Sequence, residues 1–248
     1  LLVLITESLA LGSRTLSPEE VWQGFLAYDN SVASKVVWGL RIHRTILAIV
    51  VGASLAVAGV VMQALTRNPL AEPGILGVNA GASLAVVAAI GGLGLTSVNQ
   101  YLPFAFAGAA AAAVLVHMMS RRSADSGPAR LVLAGVALGA SLSSITGTIT
   151  MYNSKIFDSY RFWVVGSLEN RKLEVLLWVA PFLAVGLVLA LASAHSLNAL
   201  ALGEEQARAL GVSPARARLL ALVAITLLCG ASTAAVGPIS FVGLVVPQ

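Results

Sequence analysis

From residue 45 onward the chain alternates long uncharged stretches with short polar connections. The uncharged stretches cover residues 45–66, 73–120, 131–154, 175–203 and 219–248. Each exceeds an ordinary core helix, and a bilayer crossing needs about 20 mostly apolar residues. The pattern predicts spans at 45–66, 75–95, 103–119, 131–151, 175–194 and 217–236, with a partial segment before them and a further one begun by 239–248. Strand-like alternation over about ten residues is absent, and alanine-rich runs satisfy their backbone groups most simply as helices. The expected fold class is therefore all-α, a polytopic helical membrane protein, and a β-barrel is excluded.

The connections add finer signals. Ser17-Pro18-Glu19-Glu20 sets a capping serine, a proline at the first helical position and a glutamate three residues on. This is a helix start, and Val21, Trp22, Phe25 and Leu26 then give one apolar face suited to a membrane interface. Small residues recur every fourth position at Ala48, Gly52, Ala56; Gly77, Gly81, Ala85, Ala89; and Gly135, Gly139, Ser143, Gly147, a spacing that permits close helix packing in lipid. The stretch 131–151 also carries Ser141, Ser143, Ser144, Thr146, Thr148 and Thr150. These hydroxyls either bond to their own helix or line a wet path.

Composition sharpens this picture. Charged residues are 10% of the 248 positions and hydrophobic ones 58%, against roughly 25% charged in an average soluble domain. The net charge of +4 comes from basic residues scattered through the connections, which fits lipid headgroups and gives no basic tract for nucleic acid. Assigning the connections alternately to two sides leaves basic residues evenly divided, so the positive-inside rule sets no orientation. The single cysteine, Cys229, excludes an intramolecular disulfide and a cysteine metal cluster. Residues 1–12 contain Glu7, lack a basic leader region and are too short to span, so they fit neither a signal peptide nor a whole helix.

Candidate chemistry is sparse. His43, His117 and His195 lie far apart, Ser83 lacks the closing glycine of a nucleophile elbow, and Met62, Met118, Met119 and Met151 read as packing residues. No phosphate-binding GxxxxGK[ST] loop occurs. This argues against an enzyme and against a bound cofactor. The predicted spans from 45 onward hold no internal acidic or basic residue, whereas ion-driven carriers keep such groups at mid-membrane. Energy is expected to come from outside the chain; the rival readings are a secondary carrier, an intramembrane enzyme and a partial permease coupled to nothing.

Asn68-Pro69-Leu70-Ala71-Glu72-Pro73-Gly74 closes the 45–66 span, its two prolines removing donors and Gly74 permitting a turn. A glutamate and an asparagine at membrane depth or edge require partners. Residues 40–81 around this turn resemble the signature region of the FecCD-type permeases, the membrane subunits of ABC importers for iron-siderophores, haem and cobalamin. Residues 200–211, LALGEEQARALG, resemble that family's ATPase-contacting loop, and residues 237–247, GPISFVGLVVP, its late glycine-rich segment. His43 and Gln248 depart from the pattern, where proline and histidine are usual.

The resemblance implies a single transmembrane permease domain over 1–248, with about seven to eight of ten spans present and both ends incomplete. It implies a bacterial inner-membrane location, a homodimer or a pairing with a paralogous permease, two ABC ATPase subunits that carry the ATP and Mg, and an extracytoplasmic binding protein. Arg41 and Arg44 match the docking arginines by position; Arg161, and more distantly Arg171 and Lys172, extend that set, the alternative for all of them being headgroup anchoring. Gly203, Glu204, Glu205, Arg208 and Gly211 match the coupling loop, the alternative being an interfacial connector. Ser141, Ser143, Ser144 and Thr148 are the candidate pathway residues, and Asn68, Pro69, Glu72, Pro73 and Gly74 the structural turn. A ferric siderophore is the expected cargo, with haem and cobalamin next.

Overall fold

The computed structural model describes residues 2–10, 12, 17–26, 31–95, 97–120, 128–169, 171 and 173–247. Among them all regular structure is helical: α1 (Leu2–Ala10), α2 (Pro18–Leu26), α3 (Val32–Val36), α4 (Ile42–Thr66), α5 (Val78–Leu93), α6 (Val98–Ser120), α7 (Pro128–Tyr152), α8 (Ser154–Val164), α9 (Leu173–Ala201), α10 (Glu204–Ala209), α11 (Pro214–Val236) and α12 (Val242–Val245). A π-helical turn, Val37–Arg41, joins α3 to α4, and a 3₁₀ turn, Pro73–Leu76, precedes α5. Among the described residues, five helical stretches are long and apolar enough to cross a membrane: 32–66, α6, α7, α9 and α11.

The chain forms two compact units, Leu1–Gly52 with Leu168–Trp178, and Ala53–Ser167 with Val179–Gln248. In the first, the capping box closes as a reciprocal pair: the Ser17 amide donates to Glu20 Oε2 at 2.7 Å and the Glu20 amide to Ser17 Oγ at 3.2 Å. The apolar face of α2 leads into an aromatic ladder in which Phe25 stacks on Trp38 with ring centroids 5.6 Å apart. Gly24 allows α2 to lie against the backbone of Ala33, where an added Cβ would come within 2.9 Å of a carbonyl carbon.

In the second unit α5 packs along α6, and α11 is enclosed. The α5–α6 crossing is reciprocal: a Cβ at Gly81 would land on the Gly108 carbonyl oxygen, and one at Gly108 on that of Gly81. Gly135 likewise lies against the Ile75 carbonyl, whereas an added Cβ at Gly147 meets nothing within 4 Å among the described residues. The four-residue spacing of small residues therefore marks close approach at some members and open surface at others.

Two expectations change. The span predicted at 75–95 is divided: Gly77 takes φ +73, ends the 3₁₀ turn and starts α5. The 16 residues of α5 rise only roughly 24 Å, short of the ~30 Å hydrocarbon thickness. The connection expected across 152–174 holds α8, capped by Asn153, whose Oδ1 accepts from the amides of Lys155 and Ile156 at 3.1 and 3.3 Å. Its charged residues masked the amphipathic pattern that buries Ile156 and Trp163.

Candidate functional site

The turn 68–74 and the segment 237–247, far apart in sequence, meet in the fold. Asn68 Oδ1 accepts from the Leu70 amide at 2.9 Å, a local side-chain turn, and the Ala71 amide donates to Asn68 O at 3.1 Å. The chain then reaches Glu72, whose Oε1 accepts from the Phe241 amide at 2.9 Å. Pro73 packs on Gly243, where an added Cβ would lie 2.9 Å from both Pro73 Cδ and the Leu55 carbonyl oxygen. Gly59, in the middle of α4, faces the Gly243 carbonyl so closely that a Cβ would overlap it. Gln63, one turn on, donates through Nε2 to Leu244 O at 3.2 Å. Beneath this junction Thr233 Oγ1 on α11 donates to Asn79 Oδ1 on α5 at 2.9 Å. Two broken helices thus interlock beside the middle of α4.

A second cluster forms at the far end of α4. Arg67, with φ +52, donates to the Leu200 carbonyl at the end of α9. Gly203 (φ +124) and Gly211 (φ +78) take conformations that side chains disfavour and bracket α10 between sharp turns. Glu204 pairs with Arg218 on α11 and, at 3.3 Å, with Arg208 four residues on. A cavity of about 70 Å³ lies between Leu65, Arg67, Leu200, Glu204 and Arg218. Glu205 and Arg208 remain exposed at the surface of α10. The acidic first turn and basic last turn oppose the helix dipole favourably, which helps so short a helix persist.

The arginines named for docking occupy different environments. Arg41 is 3% exposed, and its Nη1 donates to the Leu9 and Ala10 carbonyls at 2.6 and 2.9 Å. It thereby closes the C-terminal end of α1, whose last carbonyls have no helical donors. Arg44 Nη2 donates to Ser8 O at 2.7 Å, and its Nη1 lies 4.0 Å from Glu169 Oε1. Arg161 is exposed on α8, 3.5 Å from Asp158 and over the ring of Phe162 at 4.8 Å. Arg171 falls among the described residues and Lys172 outside them.

On α7, Ser141, Ser144 and Thr148 are exposed, and each donates to the carbonyl four residues earlier at 2.9 Å. At 3.6 residues per turn they fall within about 60° of one another, while Ser143, also exposed, points to the opposite side. With their protons donated to their own backbone, the hydroxyls need no further acceptor and keep lone pairs free to accept from whatever passes.

Gln63, Asn79, Arg67 and Arg218 were not singled out by sequence. The first two carry a legible signal, a carboxamide inside an apolar run. Arg218 sits on α11, across the turn at Gly211 from Glu204 on α10, so no continuous helix relates the two in sequence and nothing local marks the pair.

Interlocked helix breaks, several apolar spans and a braced polar loop are the architecture of a helical membrane protein. The chain belongs to the FecCD transport family, whose model matches residues 1–248. It is 43% identical to the ferric enterobactin transport system permease protein FepD of Escherichia coli over 100% of this chain and 75% of that protein. It is 41% identical to the Fe(3+)-citrate import system permease protein YfmD of Bacillus subtilis over 97% of this chain and 72% of that protein. The hemin transport system permease protein HmuU of Yersinia pestis is 34% identical, over 100% and 75%. A solved structure of a transporter assigned to the metal-chelate ABC type, in an inward-facing conformation, superposes with a TM-score of 0.82 at 28% identity, covering 98% of this chain and 75% of that one.

Proposed function

We propose that this chain is the pathway-forming permease of an ATP-driven importer for a ferric siderophore, resident in a bacterial inner membrane. The observation that carries the reading is the 43% identity, across the whole chain, to a permease named for ferric enterobactin. The chain pairs with a second copy or a paralogue, and two separate ATPase subunits hold ATP and Mg. An extracytoplasmic binding protein delivers the chelate, and haem and cobalamin are the next cargo classes.

In this reading α10 seats in a groove of the ATPase, and closure of the ATPase pair favours one pathway conformation through its differential contacts with the permease. The Ser141, Ser144 and Thr148 face of α7 offers the chelate a weakly polar wall. Arg44 and Arg161 supply docking charge, while Arg41 holds α1 against the start of α4 and so supports Arg44 from beneath. Arg44→Glu is expected to slow docking of the binding protein about tenfold at low salt, with the difference shrinking as salt rises. Arg41→Ala is expected to lower thermal stability instead, because two carbonyls lose their donor. Docking that Arg44→Glu leaves unchanged at low salt contradicts the assignment.

The test of function is radioiron uptake in cells lacking their own ferric-siderophore permease. Uptake is expected only when the ATPase and binding protein are co-expressed, and it should survive collapse of the proton gradient while ATP is maintained. Uptake without the ATPase would instead establish a secondary carrier.

A further inference from the structure

The turn 68–74 carries a carboxylate, Glu72, with no helical duty of its own. Glu72 precedes the 3₁₀ turn, and its side chain caps no amide there. Its Oε1 instead accepts the backbone N–H of Phe241, 169 residues away in sequence, at 2.9 Å. Phe241 stands at φ +69, a left-handed conformation that a bulky L-residue adopts only when its surroundings hold it. It is also the N-cap of α12, and its side chain makes no capping hydrogen bond. The ring is 64% exposed, so packing of the ring does not hold the backbone in place.

We propose that Glu72 is a positioning residue for transport, latching the second helix break onto the first by accepting the Phe241 amide. α12 is then tethered at both ends. Glu72 holds its N-terminal residue, and Gln63 on α4 holds Leu244 near its C-terminal end. Between the tethers Gly243 sits against Pro73, Leu55 and Gly59, a contact too tight for any side chain. With both tethers closed, the turn 68–76 and the segment 237–245 shift as one piece when α11 moves. With Glu72 removed, the segment keeps only its α4 tether and the left-handed Phe241 relaxes. The role depends on acceptor geometry, so a carboxamide oxygen at position 72 serves where a methyl does not. Its importance for transport rests on the function proposed above, whereas the latch itself does not.

Amide hydrogen exchange across 237–245, in the purified full chain, reads the latch without requiring transport. Glu72→Ala is expected to speed exchange at the Phe241 amide by roughly tenfold or more, with Glu72→Gln staying within about threefold of the unsubstituted chain. Chelate uptake in the assembled importer is expected to follow the same order, falling in Glu72→Ala and persisting in Glu72→Gln. Unchanged exchange in Glu72→Ala overturns the proposal. Equal damage by Glu72→Gln also overturns it, because the negative charge would then be what matters. Should Glu72→Ala fail to fold, Glu72→Gln still decides: native exchange supports the latch, and a second unfolded variant refutes it. If the unsubstituted chain carries no chelate while the exchange pattern holds, the transport reading fails and the latch stands.

Discussion

Alanine at position 59 is expected to abolish transport and unseat the second helix break, although it adds a single methyl group. The new Cβ would overlap the Gly243 carbonyl oxygen and lie 2.6 Å from its carbon and 2.8 Å from Gly243 Cα. All three obstacles are backbone, so no rotamer change relieves them. α12 must withdraw from α4, which breaks the Gln63 tether to Leu244 and disturbs the Glu72 tether to Phe241. Ordinary overpacking of a core costs about 1–3 kcal/mol, and this case belongs at or above the upper end because the neighbouring backbone must shift. Thermal unfolding should fall by several degrees, on the order of 2–4 °C per kcal/mol for a chain of this size. Gly147→Ala is the matched control: its Cβ meets nothing within 4 Å among the described residues, and replacing a helical glycine by alanine generally favours the helix. Equal effects at the two positions would contradict the packing described here.

The second large effect is expected at Arg218. Glutamate there places a negative charge beside Glu204 and breaks the link that fastens α10 to α11. Basal hydrolysis by the ATPase should persist, because its own site is untouched, while chelate uptake falls about tenfold. The loss stops short of complete because the Glu204 side chain is 39% exposed and keeps its pairing with Arg208 at 3.3 Å. Combining Arg218→Glu with Glu204→Arg restores opposite charges and should recover much of the uptake. A swap as inactive as the single variant would show that the side chains at these positions, and not their pairing, set the effect.

How far the sequence anticipated this architecture follows the range of the interactions involved. The apolar runs that become α6, α7, α9 and α11 were legible because each forms its own backbone hydrogen bonds, and length with hydropathy is then enough to mark a span. The α2 start was legible because a capping box is closed by residues three positions apart. The break at Gly77 was hidden inside an uninterrupted apolar run, since Pro73-Gly74-Ile75-Leu76 reads equally well as the first turn of a helix. Glu72 was legible as a group requiring a partner, but that partner is the backbone amide of Phe241, which has no side-chain signature. Arg41 and Arg44 look alike as neighbouring basic residues. Only the fold separates a guanidinium spent on the carbonyls closing α1 from one shared between Ser8 and Glu169.

Energy from a separate ATPase entering through α10 is the central claim, and site-directed cross-linking tests it most directly. Cys229 is the chain's single cysteine and is buried, so Glu205→Cys provides a lone accessible thiol on the exposed face of α10. With single-cysteine ATPase variants in the assembled importer, position 205 is predicted to form an adduct whose yield changes on ATP binding. A cysteine at Tyr152, 90% exposed at the C-terminal end of α7, should form none. ATPase adducts at position 152 with none at position 205 would contradict the account.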